Sequence, residues 1–463
     1  MKLPNVRRGF YGDALRLMLP MIAQNIITQS MQLADTFMIG VLGETELAAV
    51  TVANTPFFVV MLMCFGVQSG AGVLVSQYYG KGNTSEINRI LGVGLYLSMA
   101  VTAVISLVSF FFPTEIMSVL TNNSDLIAPG GEYVRAVGFS YFFFSISGTY
   151  LIGIQRSIGN PKLPAIIYSV SGLLNVFLNW VLIFGKLGAP ELGITGAAVA
   201  TVISRAFEVV VIVIYASRDK LVPLNMKLVL RPGMVIFKDF IRYAVPVILN
   251  ELLWSFGISA YAVIMGHMDN STPILAAYTI AGNLEKLLSV AVMASGASAA
   301  VIIGREIGMG KREGIYNTGV ALNILAAAVG GVTCVLSLLA RFFLAKQVIF
   351  PVLGIGGEAQ DIALFMLTVL SVLQPLRCLN MVDIVGVLRG GGDVKFALIA
   401  DIAPMYLVCI PLVYITGLVA GWGIFAVYSI IVIDDVIKCV MNLMRIRSKK
   451  WINDVTRESV ESA

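Results

Sequence analysis

Apolar stretches long enough to cross a bilayer as helices divide this 463-residue chain into twelve segments, and Lys and Arg occupy alternate connections between them. One set of connections holds Lys2, Arg7, Arg8 and Arg16, then Lys81 and Arg89, then Arg156 and Lys162. It continues with the run Arg218 to Arg242, with Arg305, Lys311 and Arg312, with Arg389 and Lys395, and with the stretch from Lys438 to Arg457. Together these are 25 of the 32 basic residues, against Lys186, Arg341 and Lys346 on the other side. Arg135, Arg205, Lys286 and Arg377 fall within the apolar stretches themselves. Cytoplasmic connections of membrane proteins are enriched in Lys and Arg, so the alternation predicts a multi-pass protein of the cell membrane, plasma or inner, with both termini cytoplasmic.

A charged fraction of 13% is too low to clothe a soluble chain of this length, which needs roughly a quarter. In lipid the backbone must satisfy its own hydrogen bonds, which leaves helices or closed barrels. Runs of about 20 apolar residues, rather than short alternating strands, select helices. The net charge of +5 comes from the basic connections, so it reports topology and predicts no nucleic-acid partner. Cys64, Cys334, Cys378, Cys409 and Cys439 all lie inside apolar stretches, form no CxxC pair and read as small core residues. The first apolar stretch lacks a small-residue cleavage site and is expected to stay as helix 1.

The expected spans are 15–40, 48–79, 90–112, 133–154, 163–185 and 194–216, then 240–266, 273–304, 315–339, 362–388, 396–418 and 422–444. This predicts an all-α membrane protein of twelve transmembrane helices in two six-helix bundles. Its expected organisation is an N-terminal bundle over 1–216, a cytoplasmic connection over 217–239, a C-terminal bundle over 240–446 and a cytoplasmic tail over 447–463. The centre of the connection, Met226 to Leu230, is expected to lie along the membrane surface as a tether. The two halves repeat: Pro20 opens helix 1 as Pro246 opens helix 7, and Ser69-Gly70-Ala71 recurs as Ser295-Gly296-Ala297. The segment GIQRSIGN over 153–160 recurs as GVLRGGGD over 386–393. With six helices each, the repeats share one orientation, which implies a pseudo-two-fold axis along the membrane normal. Parallel repeats of this kind mark transporters whose substrate site lies at the repeat interface.

The order of these motifs, with DTFMIG over 35–40 and NVFLNW over 175–180, resembles the multidrug and toxic compound extrusion (MATE) family of transporters along nearly the whole chain. The resemblance implies a V-shaped pair of six-helix bundles that exports drugs in exchange for protons or sodium. It also implies that the helix 1 acid matching Asp35 couples ion flow to export, assisted by matching positions in helices 5 and 6. At the position of Asn179 some proton-coupled members carry Asp. Asn cannot titrate, which leaves Asp35 as the one protonatable group of the cluster.

An unpaired acid inside a span costs several kcal/mol, so each needs a reason. Asp35 lies nine residues from Glu44, Asn179 and Asn175 seven and eleven from Lys186, and Thr201 ten from Glu191. A rise of ~1.5 Å per residue sets all four roughly 10–17 Å below the outer end. Asn175 and Asn179, four apart, share one helix face. One carboxylate, two amides and a hydroxyl at a common depth suit a proton relay or a Na⁺ site, since hard cations take oxygen ligands. The same residues would equally serve as a buried polar tie among helices 1, 5 and 6.

Glu251 and Arg377 lie nine residues from Arg242 and twelve from Arg389, both ~14–18 Å deep. They are expected to be close enough to interact, as a second-lobe coupling or substrate pair or as a structural ion pair. Asp383 joins them as a candidate, although Asp383 and Asp401 near the basic ends of helices 10 and 11 read more simply as partners of Arg389 and Lys395. Arg205 and Glu208, three apart, can neutralise each other. Asp434 and Asp435 have no evident local partner, and the partners of Glu285 and Lys286 are open. His267, the only His, sits in an outer connection beside Asp269.

No P-loop, HExxH, GxSxG or Cys/His cluster is present, so the chain is not expected to be an enzyme or to carry a cofactor. The reading is a secondary active antiporter, working as a monomer in the lipid bilayer, that exchanges H⁺ or Na⁺ for small organic, cationic compounds. The alternative is a flippase for lipid-linked oligosaccharides of the same superfamily. It would need a cationic cavity, and the intramembrane charges here are mainly acidic. A membrane enzyme is the other rival, and a lone loop His supplies it with no oriented base.

Overall fold

The computed structural model describes residues 6–311, 314–353 and 356–457. Lys2 and Arg312 of the basic connections, and positions 458–463 of the expected tail, lie outside the described residues. The long helices are α1 (Phe10–Gly40), α2 (Glu44–Gly80), α3 (Thr84–Phe111), α4 (Ser124–Arg156), α5 (Lys162–Ile183) and α6 (Gly193–Ala216). They continue with α7 (Met234–Gly266), α8 (Ser271–Leu288 resumed as Val290–Gly308), α9 (Ile315–Gln347), α10 (Glu358–Arg389), α11 (Val394–Val419) and α12 (Ile424–Arg447). Among the described residues ten helical stretches are long and apolar enough to cross a membrane. The two that fall short, α1 and α12, are the ones carrying Asp13, Arg16 and Asp35, and Asp434, Asp435 and Lys438. Large apolar side chains such as Phe37, Val104, Leu173 and Leu407 are exposed, as a lipid-solvated surface allows. This is a multi-pass membrane protein.

Helices overrun the expected apolar limits where a polar end can continue the hydrogen-bonded ladder. Thus α9 runs on through Arg341 and Lys346, and Arg341 Nε donates to the Leu364 carbonyl (3.1 Å) on α10.

The units of mutual packing are not the sequence halves. Residues 23–248 form one unit, and 1–22 with 249–463 form the other, so the divisions fall inside α1 and α7 rather than at 217–239. The physical reason is burial. Phe10 belongs to a cluster with Ile303, Ile315 and Leu388, and Met18 and Met21 pack on Ala294. The first half of α7 packs on α2 instead: a Cβ at Gly66 or Gly70 would meet the backbone of Ile248 or Ala244.

The repeated motifs are explained by contacts made inside each unit. Gly153 of α4 faces Ala71 of α2, and Gly386 of α10 faces Ala299 of α8, so each small-residue segment receives the GxxR segment of its own half. Both GxxR segments are π-helical, over Thr149–Arg156 and Val382–Arg389. A π turn leaves backbone groups off the regular ladder and is common at functional sites.

The long connection is held to α3. Its short helix Met226–Leu230 lies on Gly92, Tyr96 Oη donates to the Leu230 carbonyl (2.9 Å), and Asn88 Nδ2 to that of Pro223 (3.1 Å). The segment after α12 also folds back. Trp451 is fully buried, its indole N–H donates to the Ile446 carbonyl (3.1 Å), and the Asn453 N–H donates to the Gly391 carbonyl (3.0 Å).

Candidate functional sites in the two packing units

In the unit 23–248 three helices bring the expected polar cluster together. Asn175 and Asn179 lie one turn apart on the buried face of α5, as their spacing of four requires. Asn179 Nδ2 donates to Asp35 Oδ1 of α1 (2.6 Å) and approaches Asn175 Oδ1 (3.5 Å). Asn175 Nδ2 donates to Thr201 Oγ1 of α6 (3.4 Å), whose hydroxyl donates back to the Ala197 carbonyl (3.0 Å). Asp35, Asn179, Asn175 and Thr201 therefore form one continuous chain.

The acceptors left over decide what that chain can hold. Asn179 spends its amide hydrogens on Asp35 and Asn175, and its buried Oδ1 has no partner. An orphaned amide oxygen beside a carboxylate, with a second amide oxygen and a hydroxyl near, is a donor set for a hard cation rather than for an anion. A single carboxylate matches a single positive charge, as a proton or a monovalent ion.

Two residues outside the expected cluster lie within electrostatic reach of Asp35. Tyr133 of α4 is buried within electrostatic reach of Asp35. Arg205, one turn beyond Thr201 on α6, also reaches Asp35 electrostatically. It is committed elsewhere, pairing with Glu208 (3.3 Å) as expected and lying over the Phe144 ring (4.9 Å). Glu208 takes a further bond from Ser171 (2.7 Å). The spacing of four between Thr201 and Arg205 could have flagged the last of these, whereas nothing local links Tyr133 to Asp35.

The unit 1–22 with 249–463 holds a different arrangement. The expected contact of Glu251 with Arg377 is not formed. Glu251 binds Arg389 (3.0 Å), while Arg377 binds Glu285 of α8 and, through Nε, Asp435 of α12 (3.0 Å). Counting depth gives height along a helix but not direction around it. In addition, the sequence places Arg389 in a loop, whereas the π turn keeps it inside α10 with only 3% of its surface exposed. Arg377 thereby supplies the partners that Glu285 and Asp435 lacked.

Asp401 is not an interfacial partner of Lys395 either. It pairs with Lys438 (2.9 Å) and accepts from Asn250 Nδ2 (2.7 Å), and Asp434 holds the same ammonium (2.7 Å). Lys438 belongs to the basic C-terminal stretch in sequence, but it is buried on α12. Its spacing of four from Asp434 was the available signal. Asp383 meets neither Arg389 nor Lys395: it is fully buried, and neither carboxyl oxygen has a hydrogen-bond partner.

Comparison with known proteins agrees with the repeat. Residues 20–181 and 246–415 match the MatE family model, one block in each half. A probable multidrug resistance protein NorM of Thermotoga maritima is 23% identical over 99% of this chain and 97% of its own. The uncharacterized transporter YisQ of Bacillus subtilis is 24% identical over 90% of each chain. Among solved structures, a MOP superfamily transporter from Pyrococcus furiosus superposes with a TM-score of 0.83 at 18% identity, covering 96% of this chain and 98% of that one. An outward-facing multidrug resistance MATE transporter superposes at 0.81 with 20% identity, covering 95% and 96%. These structures share the fold. With both halves matched in order and the duplicated glycine motifs accounted for by packing, the chain belongs to the MatE family of membrane transporters.

Proposed function

We propose that this protein is a secondary active multidrug exporter that exchanges H⁺ or Na⁺ for small organic cations, with Asp35 as the coupling group. The reading rests chiefly on the 2.6 Å bond from Asn179 to Asp35 with the Asn179 carbonyl oxygen left idle. In the cycle, Asp35 takes a proton or Na⁺ from outside, using the oxygens of Asn175, Asn179 and Thr201. The bound ion changes the hydrogen bonding of α1 and weakens cargo binding. Cargo leaves, the transporter re-orients, and the ion is released inward. Exchange needs this mutual exclusion, because ion and cargo must shift one equilibrium in opposite directions.

The protein works as a monomer in the cell membrane with both termini cytoplasmic, the orientation that the basic connections favour. In the second lobe Glu251 acts with Arg389 rather than with Arg377, whose guanidinium serves Glu285 and Asp435. The flippase alternative needs free cationic groups for a phosphate-linked cargo. Arg205 and Arg377 are instead paired with acids in their own units, which favours the exporter.

The test is efflux of a fluorescent organic cation from proteoliposomes under imposed pH or sodium gradients. Asp35→Asn is expected to abolish gradient-driven efflux while leaving cargo binding intact. Full gradient-driven efflux by that variant would refute the coupling role.

A further inference from the structure

The turns that follow the two GxxR segments are built alike and filled differently. After Arg156, the N–H groups of Ile158, Gly159 and Asn160 donate to the carbonyls of Ile154, Arg156 and Gln155, each at 3.0 Å. After Arg389, those of Gly391, Gly392 and Asp393 donate to Val387, Arg389 and Leu388, each at 2.9 Å. Gly159 and Gly392 take the matching left-handed conformation, with φ of 89° and 78°. Asn160 Nδ2 reaches Tyr215 Oη of α6 (3.4 Å), and Asp393 Oδ2 accepts from Arg445 Nε of α12 (2.7 Å). Position by position, Ile158 corresponds to Gly391.

Ile158 is buried and fills its place with its own side chain. Gly391 has none, although its φ is not positive and the same backbone bonds accommodate isoleucine in the other half. The nearest atoms that a Cβ at Gly391 would meet belong to Trp451, the carbonyl oxygen and, at 2.7 Å, Cε3. The Trp451 ring also comes within 3.4 Å of the Cβ position of Gly319 on α9. The segment after α12 covers the rest of the turn as well. The Asn453 N–H donates to the Gly391 carbonyl (3.0 Å), and Val455 closes on Gly392. Three glycines in a row have the greatest backbone freedom to lose, so this turn depends on what is packed against it. Arg389 stands immediately before them, at the end of the π segment, and its guanidinium holds Glu251 (3.0 Å).

We propose that the folded-back segment braces the second-lobe ion pair. Trp451 supplies from beyond α12 the side chain that Gly391 lacks and that Ile158 carries in the other half, and it thereby acts as a positioning residue for Arg389 on Glu251. All of these residues belong to one packing unit. The functional weight of the brace rests on the role given above to Glu251 and Arg389, whereas the brace itself is a claim about geometry.

The experiment uses full-length chains treated with dicyclohexylcarbodiimide, which modifies carboxyl groups that no cation holds, with the labelled residues identified by peptide mass spectrometry. Glu285, held by Arg377 in the same unit, is the internal reference, since general loosening frees both acids and loss of the brace frees Glu251 alone. Trp451→Ala is expected to raise labelling of Glu251 over that of Glu285 and to lower gradient-driven efflux to the level of Arg389→Gln. Gly391→Ile is expected to lower the Tm of the unaltered protein, by colliding with Trp451, and to raise it in Trp451→Ala, where it refills the turn and restores protection of Glu251. Should Trp451→Ala lose its monodisperse elution, Gly391→Ile must bring it back. Equal labelling of Glu251 in Trp451→Ala and unaltered protein, a Gly391→Ile penalty of the same sign in both backgrounds, or no return of monodisperse elution overturns the brace. Undiminished efflux by Glu251→Gln refutes the coupling role of the pair and leaves the labelling and Tm results to decide the brace.

Discussion

Replacing Lys438 by Met tests whether the buried charges of the second packing unit are held as a connected set. The Lys438 side chain is 6% exposed and its ammonium lies 2.9 Å from Asp401 and 2.7 Å from Asp434, themselves 16% and 10% exposed. Met has similar length and no charge, so packing is largely kept while two carboxylates lose their shared cation. Removing one partner of a buried pair costs about 3–5 kcal/mol, because the remaining charge stays buried and uncompensated. A unit of this size loses about 2–4 °C of Tm per kcal/mol, which gives a fall of ~6–20 °C. Thermal unfolding of detergent-solubilised protein, followed by fluorescence-detected size exclusion, is the assay. The same loss is expected to shrink when Asp401→Asn and Asp434→Asn are added, since contacting residues couple by about 0.5–3 kcal/mol. A Tm within 2 °C or so of the unaltered protein, a shift of about 1 kcal/mol or less, or strict additivity in the combined variant, would show that the ammonium is not what holds these acids.

Three further perturbations follow from other parts of the molecule. Asn179→Asp adds a second titratable group 2.6 Å from Asp35 Oδ1, and the pH profile of efflux is expected to gain a second ionisation; a profile identical to that of the unaltered protein counts against the direct contact. Gly386→Val drives a branched side chain into Ala299 of α8 and is expected to abolish folded expression, judged by size exclusion, whereas overpacking at a tolerant site costs only about 1–3 kcal/mol. Trp451→Ala empties the pocket beside Gly319 and Gly391, and a loss of about 3–5 kcal/mol is expected in the same unfolding assay; an unchanged Tm would mean that the folded-back segment contributes nothing.

The Asp35 cluster is legible in the sequence because its parts obey one-dimensional rules. Asn175 and Asn179 share a face at a spacing of four, and counting from the nearest loop charges brought Asp35 and Thr201 to the same depth. The partners of the second unit were not legible in this way. Glu251, Arg377, Asp401 and Lys438 all sit on different helices, and their pairing depends on the rotation of each helix about its axis. Arg389 and Lys438 depart from their sequence context for a further reason. Both lie near basic connections in sequence, but a π turn in one case and a buried helix face in the other withdraw them from solvent.

The twelve helices, their alternating connections and the twofold repetition of the glycine motifs are properties of the linear chain, because lipid forces every backbone group to be paired within its own segment. That constraint acts residue by residue and leaves its record in hydropathy and in the placement of Lys and Arg. Which acid meets which base, and where α1 and α7 pass from one packing unit to the other, was decided only in three dimensions. Side-chain pairing and close packing are contacts between segments distant in sequence. Their energy depends on ångström-scale separations that helix spacing alone does not specify.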